Sequence, residues 1–193
     1  MRVRTFITAV CFAAAASTYP LAGQNQQGAP ETFTANMHAT GAAGGAAAAT
    51  ITIDVQRYTP DAERTAVETA LKTGGFAGFV AALKKAPAVG AVKFGEKSWT
   101  IRWAREVKSG ANKRTLTFVT DSPIFFVGGG AADAKPRTGY DVALIRLEVD
   151  DVGLGNGQMA AAARIKPGGE SGVEIDDYAD KPIKLATVVR KIK

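Results

Sequence analysis

Apolar and polar residues alternate along most of the chain from Phe33 onward, with the two-residue period that is typical of half-buried β-strands. The first two alternating stretches are Phe33–Ala39 and Thr50–Val55, and the alanine- and glycine-rich run between them is interpreted as a connector. From Val89 onward nearly every apolar stretch has the same period, with glycine-rich turns between stretches. This arrangement predicts strands that pair with their neighbours in antiparallel fashion.

One segment between the second and third stretches has a helical period instead. Thr59 is a suitable N-cap, and Pro60 suits the first helical turn. One apolar stripe ends at the glycine pair at positions 74 and 75, and a second stripe ends before Pro87. The pattern predicts a two-helix hairpin at about residues 60–86 that packs on the sheet.

These elements together predict a mainly β fold with a small α part. We expect an antiparallel meander of about eight strands that forms a barrel or a sandwich, with the helical hairpin inserted after the second strand. The pattern does not distinguish a barrel from a sandwich. The length of the chain favours one domain, which covers residues 31–193.

Residues 1–23 have the features of a cleavable secretory signal peptide. Two arginines precede an apolar run from Phe6 to about Ala16, and small residues precede Gln24. The apolar run is shorter than the ~20 residues that a membrane span needs. We therefore expect an exported, periplasmic or extracellular protein with no transmembrane segment after cleavage. Cleavage of the signal peptide is expected after Gly23, and a cleavage site nearer Ala16 is the alternative. Residues 24–30 are predicted to be a flexible lead-in.

Composition narrows the chemistry that the mature chain can perform. Removal of the leader takes away Cys11, the one cysteine, and lowers the formal charge from +6 to +4. With His38 as the one histidine, a thiol nucleophile, a Cys–His zinc site and a multi-histidine site are excluded. The excess of basic over acidic residues is mild and the basic residues are scattered, which does not favour nucleic-acid binding. We expect no catalytic residue, metal or cofactor.

Aromatic residues are concentrated in the second half of the chain. Trp99 and Trp103 are predicted to lie on one strand face together with Ile101. If the strands close into a barrel, the inward-facing aromatic side chains would either fill the interior or line a pocket. The predicted ligand-binding residues are Trp99, Trp103, Phe118, Phe125, Phe126 and Tyr140.

Four blocks of sequence carry a resemblance to a known group of proteins. The blocks are Arg57–Thr65, Ile101–Glu106, Thr120–Ile124 and the stretch from Asp177 to Leu185. They resemble a group of uncharacterised exported bacterial proteins of the kind found in Acidobacteria. The resemblance implies export and a single domain, and it assigns no role to any residue.

The function that these observations favour is that of an exported, non-enzymatic protein that binds an apolar small molecule, a lipid or an envelope partner. A structural or interaction protein of the cell envelope is the alternative, and a carboxylate-dependent hydrolase is the third hypothesis. A cavity of ~300 Å³ or more beside the tryptophan strand would support the first hypothesis, whereas a filled interior would argue against it. Two carboxylates ~5 to 10 Å apart across a cleft would support the third.

Overall fold

The alternating stretches form nine antiparallel strands in the part of the chain that the computed structural model describes, which is residues 30–40, 46–124, 137–179 and 181–191. The predicted leader, and the lead-in up to residue 29, lie outside these ranges. The elements are β1 (Glu31–Thr40), β2 (Ala46–Val55), α1 (Asp61–Lys85), β3 (Gly90–Phe94), β4 (Lys97–Lys108), β5 (Lys113–Thr120), β6 (Val142–Asp150), β7 (Leu154–Pro167), β8 (Val173–Tyr178) and β9 (Ile183–Lys191).

Eight of the described strands close into a barrel. Each strand from β1 to β7 pairs with the next one in sequence, and β9 pairs with both β7 and β1. The strand β8 pairs with β7 alone among the described strands and therefore lies outside the closed ring. The prediction of a mainly β, single-domain meander is confirmed, and the barrel is the form that it takes.

The length of β7 explains how a ninth strand attaches to the barrel. One edge of β7 pairs with β6 from Gly155 to Ala163. The other edge is divided, because Leu154–Met159 pairs with β9 and Ala163–Pro167 pairs with β8. The hairpin of β7 and β8 therefore extends beyond the ring at one end.

The inward-facing residues of the ring fill the interior of the barrel. Phe33, Ile53, Phe118 and Ile145 are all fully buried there, and they belong to one contiguous cluster of apolar side chains. Large buried side chains at successive levels of the ring indicate a packed core, as is usual for a barrel of this strand number.

The helix α1 covers part of the outer surface of the barrel. Its buried residues Val67, Leu71, Phe79 and Leu83 belong to a second apolar cluster. The barrel contributes the outward-facing side chains of this cluster, namely Trp103, Val119, Val142, Leu144, Ile165 and, from β8, Val173. The fold thus has two apolar layers, one inside the ring and one between the ring and α1.

The prediction of a two-helix hairpin is wrong, since one helical element spans the whole segment. Its backbone is non-helical at Gly75, with φ 59° and ψ −158°. A Cβ atom on Gly78 would lie 2.7 Å from the carbonyl oxygen of Ala70, which residues eight apart in a straight helix could not approach. The change of direction is therefore absorbed at a single glycine, without the loop that would separate two helices.

The predicted N-cap of the helix has a different role. The helix begins at Asp61 with Pro60 as its N-cap, and no side chain caps it. The hydroxyl of Thr59 instead accepts a hydrogen bond of 2.8 Å from the backbone N–H of Ala104. The backbone N–H of Thr59 donates to the Ala104 carbonyl at 2.9 Å. Since the pairing of β3 with β4 extends only to Ile101, Thr59 takes the place of a strand partner.

A bulge in β4 reverses the face on which its later residues lie. Ile101 is paired with Thr120, and Trp103 is paired with the adjacent Val119, so β4 has one extra residue at this point. As a result, Ile101 belongs to the interior cluster and Trp103 to the cluster beneath α1. The prediction that the two share a face is wrong, because a bulge shifts the two-residue period by one position.

The alanine-rich run between the first two predicted strands is only partly a connector. The strand β2 begins at Ala46, and Ala46–Ala49 pairs with the end of β1. Strand pairing is made by backbone groups, so a run of small side chains can still form the end of a strand.

Candidate functional site

The aromatic residues predicted to bind a ligand do not come together. Phe118 is buried inside the barrel, and Trp103 is buried on the outer side of the ring beneath α1. Trp99 is partly buried and packs against the interior cluster. Tyr140 lies at the surface, where its hydroxyl donates a hydrogen bond to the Asp177 carboxylate. Phe125 and Phe126 lie outside the described residues.

A groove with a volume of about 410 Å³ lies instead on the outer face of the barrel. Its floor consists of three directly opposed pairs from β6 and β7, which are Leu144 with Ala160, Arg146 with Gln158, and Glu148 with Asn156. Their outward direction follows from the alternation of β6, whose residues Ile145 and Leu147 face the interior. The floor therefore changes from apolar to charged along the strand.

A wall of the groove, beside this floor, is formed by β8, the strand that lies outside the ring. Glu174, Ile175 and Tyr178 of β8 line it, together with Pro182 from the segment that leads into β9. Because β8 leaves the ring, it can stand beside the outward-facing side chains of β6 and β7. We call this space the outer groove, and its lining residues are Leu144, Arg146, Glu148, Asn156, Gly157, Gln158, Ala160, Glu174, Ile175, Tyr178 and Pro182.

Several polar groups in the outer groove are available to a ligand. Within the described ranges, the side chains of Arg146, Glu148, Asn156 and Gln158 have no hydrogen-bond or ion-pair partner. Glu174 is different, since Lys166 Nζ lies 3.3 Å from its Oε1 atom. Arg146 is half-buried, and its side chain has no protein partner among the described residues.

A second polar arrangement, which we call the barrel-end cluster, lies where β1 begins and β9 ends. It consists of Glu31, Tyr58, Glu106, Arg114 and Arg190. Arg114 donates to both carboxylate oxygens of Glu31, at 2.7 and 3.1 Å, and its Nη1 atom lies 3.3 Å from Glu106 Oε1. Tyr58 and Arg190 also donate to Glu31, at 2.7 and 3.0 Å.

The barrel-end cluster is largely withdrawn from water, and this determines its protonation. Burial alone would raise the pKa of Glu31, but the hydrogen bonds from Arg114, Tyr58 and Arg190 outweigh it and hold the pKa below its usual value. Burial and the neighbouring charge of Glu31 raise the pKa of the Tyr58 hydroxyl far above its usual value. The carboxylate of Glu31 is thus charged, and both of its oxygens accept hydrogen bonds. This indicates that the cluster has a structural role and holds this end of the barrel together.

Two further observations concern membrane-spanning helices and metal ligands. In the described part of the chain, no helix combines the length and the apolarity that crossing a membrane requires. In the same part, no three histidine, cysteine or acidic side chains lie close enough together to hold a metal ion.

The chain matches no protein-family model, no curated protein and no solved structure. Assignment of a function therefore depends on the geometry of the outer groove and of the barrel-end cluster.

The residues that line the outer groove were not predicted as site residues. The alternation around Ile145, Leu147 and Val149 correctly indicated that Arg146 and Glu148 face outward. That pattern does not predict that β8 packs beside these residues. The position of β8 outside the ring arises because one edge of β7 pairs partly with β9 and partly with β8.

Proposed function

We propose that the protein is an exported, non-enzymatic binding protein whose small-molecule ligand occupies the outer groove. The observation that carries the proposal is the groove itself, whose volume of about 410 Å³ is in the range of small-molecule sites. The leader-like residues 1–23 and the resemblance to exported bacterial proteins support export to the periplasm or the extracellular space.

The lining of the groove favours an amphiphilic ligand. Leu144, Ala160 and Ile175 offer apolar contact at one end, and Arg146 and Glu148 offer charged groups at the other. A purely apolar ligand would leave the charged groups without partners and without water, which costs free energy. A ligand with an apolar body and a polar end satisfies both parts of the floor.

The filled interior argues against a pocket of inward-facing aromatic side chains, so a ligand inside the barrel is a less favourable alternative. Phe33, Phe118 and Ile145 are fully buried in the interior and occupy the space that such a ligand would need. Opening a cavity in a packed core requires side chains to leave their contacts, at a cost of about 24 cal/mol for each Å³. The outer groove requires no such rearrangement.

Amide chemical shifts of the protein during titration with octyl glucoside and sodium octanoate test the proposal. We expect saturable changes in β6, β7 and β8 around Arg146, Gln158 and Ile175. The variant Gln158→Trp should block the groove and abolish these changes. Arg164→Trp, which places the same side chain at an exposed position of β7 outside the groove, should retain them. Changes confined to interior residues such as Phe33 would instead place the ligand inside the barrel and overturn the proposal.

Native mass spectrometry of the protein purified from its own envelope provides a second test. We expect a small-molecule adduct on the wild-type chain and on Arg164→Trp, and a bare chain for Gln158→Trp. A bare wild-type monomer, together with no shift changes from either octyl compound, would contradict a binding role.

An interaction protein of the cell envelope is the second candidate function, and the free edge of β8 favours it. Among the described strands, β8 has one neighbour, so the backbone groups on its other edge are available to an added strand. Amide hydrogen exchange distinguishes a β8 edge that is exposed to solvent from one that is paired with an added strand. Uniform protection of Glu174–Tyr178 only when envelope extract is present would support a docked strand.

A carboxylate-dependent hydrolase is the third candidate, since Glu148 and Glu174 line the same groove. Lys166 already engages Glu174, which leaves Glu148 as the carboxylate without a described partner. Hydrolysis of a chromogenic ester or glycoside that is lost in both Glu148→Gln and Glu174→Gln would favour this function over simple binding.

A further inference from the structure

Four buried side-chain atoms have no hydrogen-bond partner in the described part of the chain, and all four belong to the outer side of the barrel or to α1. They are Arg64 Nε, Glu68 Oε1, Trp103 Nε1 and Thr117 Oγ1, of which the first two lie 3.3 Å apart as an ion pair without hydrogen-bond geometry. Thr117 is fully buried, so its hydroxyl has lost water without gaining a partner. Buried hydroxyls in proteins are nearly always hydrogen-bonded, and an exception requires an explanation.

The strand register places this hydroxyl between two arginines. Thr117 of β5 is directly opposite Arg105 of β4 on one side and Arg146 of β6 on the other. The neighbours Leu116 and Phe118 face the interior, so Thr117 faces outward. Directly opposed residues have Cβ atoms about 5 Å apart, so the two arginines begin about 10 Å apart with the hydroxyl between them.

Arg105, Thr117 and Arg146 form a row across three strands, and nearby carboxylates only partly compensate its positive charge. Arg105 Nη1 lies 3.9 Å from Glu68 Oε1, which also lies 3.3 Å from Arg64 Nε. Glu68 is thus shared between Arg105 and Arg64, although Arg64 also has Asp61 Oδ1 at 2.9 Å from its Nη1 atom. Arg146 has no ion-pair partner among the described residues. Burial and the nearby charge of Arg64 lower the pKa of Arg105 by more than the charges of Glu68 and Asp61 raise it.

The turn between β7 and β8 lies over this row. A Cβ atom on Gly172 would lie 2.5 Å from Glu68 Oε1, and one on Gly169 would lie 3.9 Å from Arg146 Nη2. Both glycines have positive φ, 84° and 64° respectively, so the turn comes close to the charged groups without side chains of its own. Arg146 also lines the outer groove, so this one side chain joins Arg105 and Thr117 to the charged end of the groove floor.

We propose that Arg105, Thr117 and Arg146 form an anion-binding subsite that recognises a carboxylate or phosphate group. The subsite rests on the proposed function, because it defines the polar end of the amphiphilic ligand in the outer groove. Two guanidiniums can each donate paired N–H bonds to an oxyanion, and the hydroxyl between them supplies one further donor. The ligand class is an amphiphile with an anionic head.

Isothermal titration with four probes tests the subsite. The probes are sodium octanoate, octyl phosphate, the neutral octyl glucoside and inorganic phosphate. We expect the two anionic octyl compounds to bind at least ten-fold more tightly than octyl glucoside. Arg146→Gln and the near-isosteric Thr117→Val should each reduce this preference about ten-fold, because each removes a donor to the anionic head. Arg164→Gln, a charge removal outside the groove, is the control and should change neither affinity.

The outcomes separate the subsite from the groove. Equal affinities of the wild-type chain for octanoate and octyl glucoside would overturn the subsite and leave the groove intact. Binding of inorganic phosphate that requires Arg146, without binding of any octyl compound, would support the subsite and contradict an amphiphilic ligand. No binding of any probe would overturn both. Should Thr117→Val fail to fold, Arg146→Gln decides the question, since Arg146 is only half-buried.

Discussion

At the scale of single residues, the most consequential side chain is the carboxylate of Glu31. It accepts hydrogen bonds from Arg114, Tyr58 and Arg190, which come from three separate parts of the chain. The Glu31 side chain is 9% exposed and that of Arg114 is 12% exposed, so neither charge is well solvated. Loss of one member would leave the others buried without full compensation.

The variant Glu31→Gln is expected to lower the free energy of unfolding by about 3 kcal/mol, because the amide cannot balance the charge of Arg114. Urea unfolding followed by circular dichroism measures this change. The matched control is Glu63→Gln, which removes a carboxylate from the more exposed Arg57–Glu63 ion pair and should cost less than about 1 kcal/mol. Equal effects of the two substitutions would show that the barrel-end cluster contributes no more than an ordinary surface pair.

At the scale of elements, the sequence predicts which segments form strands better than it predicts which side chains of each strand face the interior. The two-residue period predicted the strands around Phe33, Ile53, Phe118 and Leu147 and their inward faces, because each such strand has one wet and one dry side. The bulge in β4 is not visible in the alternation of apolar and polar residues, so the sequence predicts the wrong face of the strand for Trp103.

The helix and the outer groove show where local patterns stop being informative. The glycine pair at positions 74 and 75 was correctly identified as an interruption, but whether a glycine ends a helix or kinks it depends on what the following segment packs against. The outer groove requires β8 to leave the ring, which is a result of long-range pairing on β7. Neither outcome is encoded within a window of neighbouring residues.

Close approach of β6 and β7 gives a prediction for Gly155. A Cβ atom at this position would lie 1.9 Å from the carbonyl oxygen of Glu148, so the backbone must move to admit it. We expect Gly155→Ala to lower the free energy of unfolding by about 2 to 3 kcal/mol. Gly74→Ala is the control, since no atom lies within 4 Å of its added Cβ, and alanine is favoured in a helix by up to about 1 kcal/mol. The urea midpoint should fall for the first variant and stay or rise for the second.

At the scale of the whole molecule, the barrel-end cluster contributes to the dependence of stability on pH at both ends of the pH range. The folded-state pKa of Glu31 is below its unfolded value of about 4.5, so its contribution is complete above that value and is lost as the pH falls. The folded-state pKa of Tyr58 is above its unfolded value of about 10.0, so its contribution is complete below that value and is lost as the pH rises.

We therefore expect a plateau of stability from about pH 5 to about pH 9, with losses on both sides. Thermal unfolding at a series of pH values measures the profile. In Glu31→Gln the decline below about pH 4.5 should become shallower, since the amide does not titrate. An acid limb of unchanged steepness in that variant would assign the pH dependence to other carboxylates.

The ring closes by the pairing of β1, which starts at Glu31, with β9, which ends at Lys191. A chain that is still emerging from a ribosome cannot make this contact until β9 is free. Until then β1 keeps one unpaired edge, and the Glu31 carboxylate lacks the hydrogen bond from Arg190. Contacts between such distant residues also slow folding. Completion of the ring is thus postponed until β9 has been synthesised and can pair with β1.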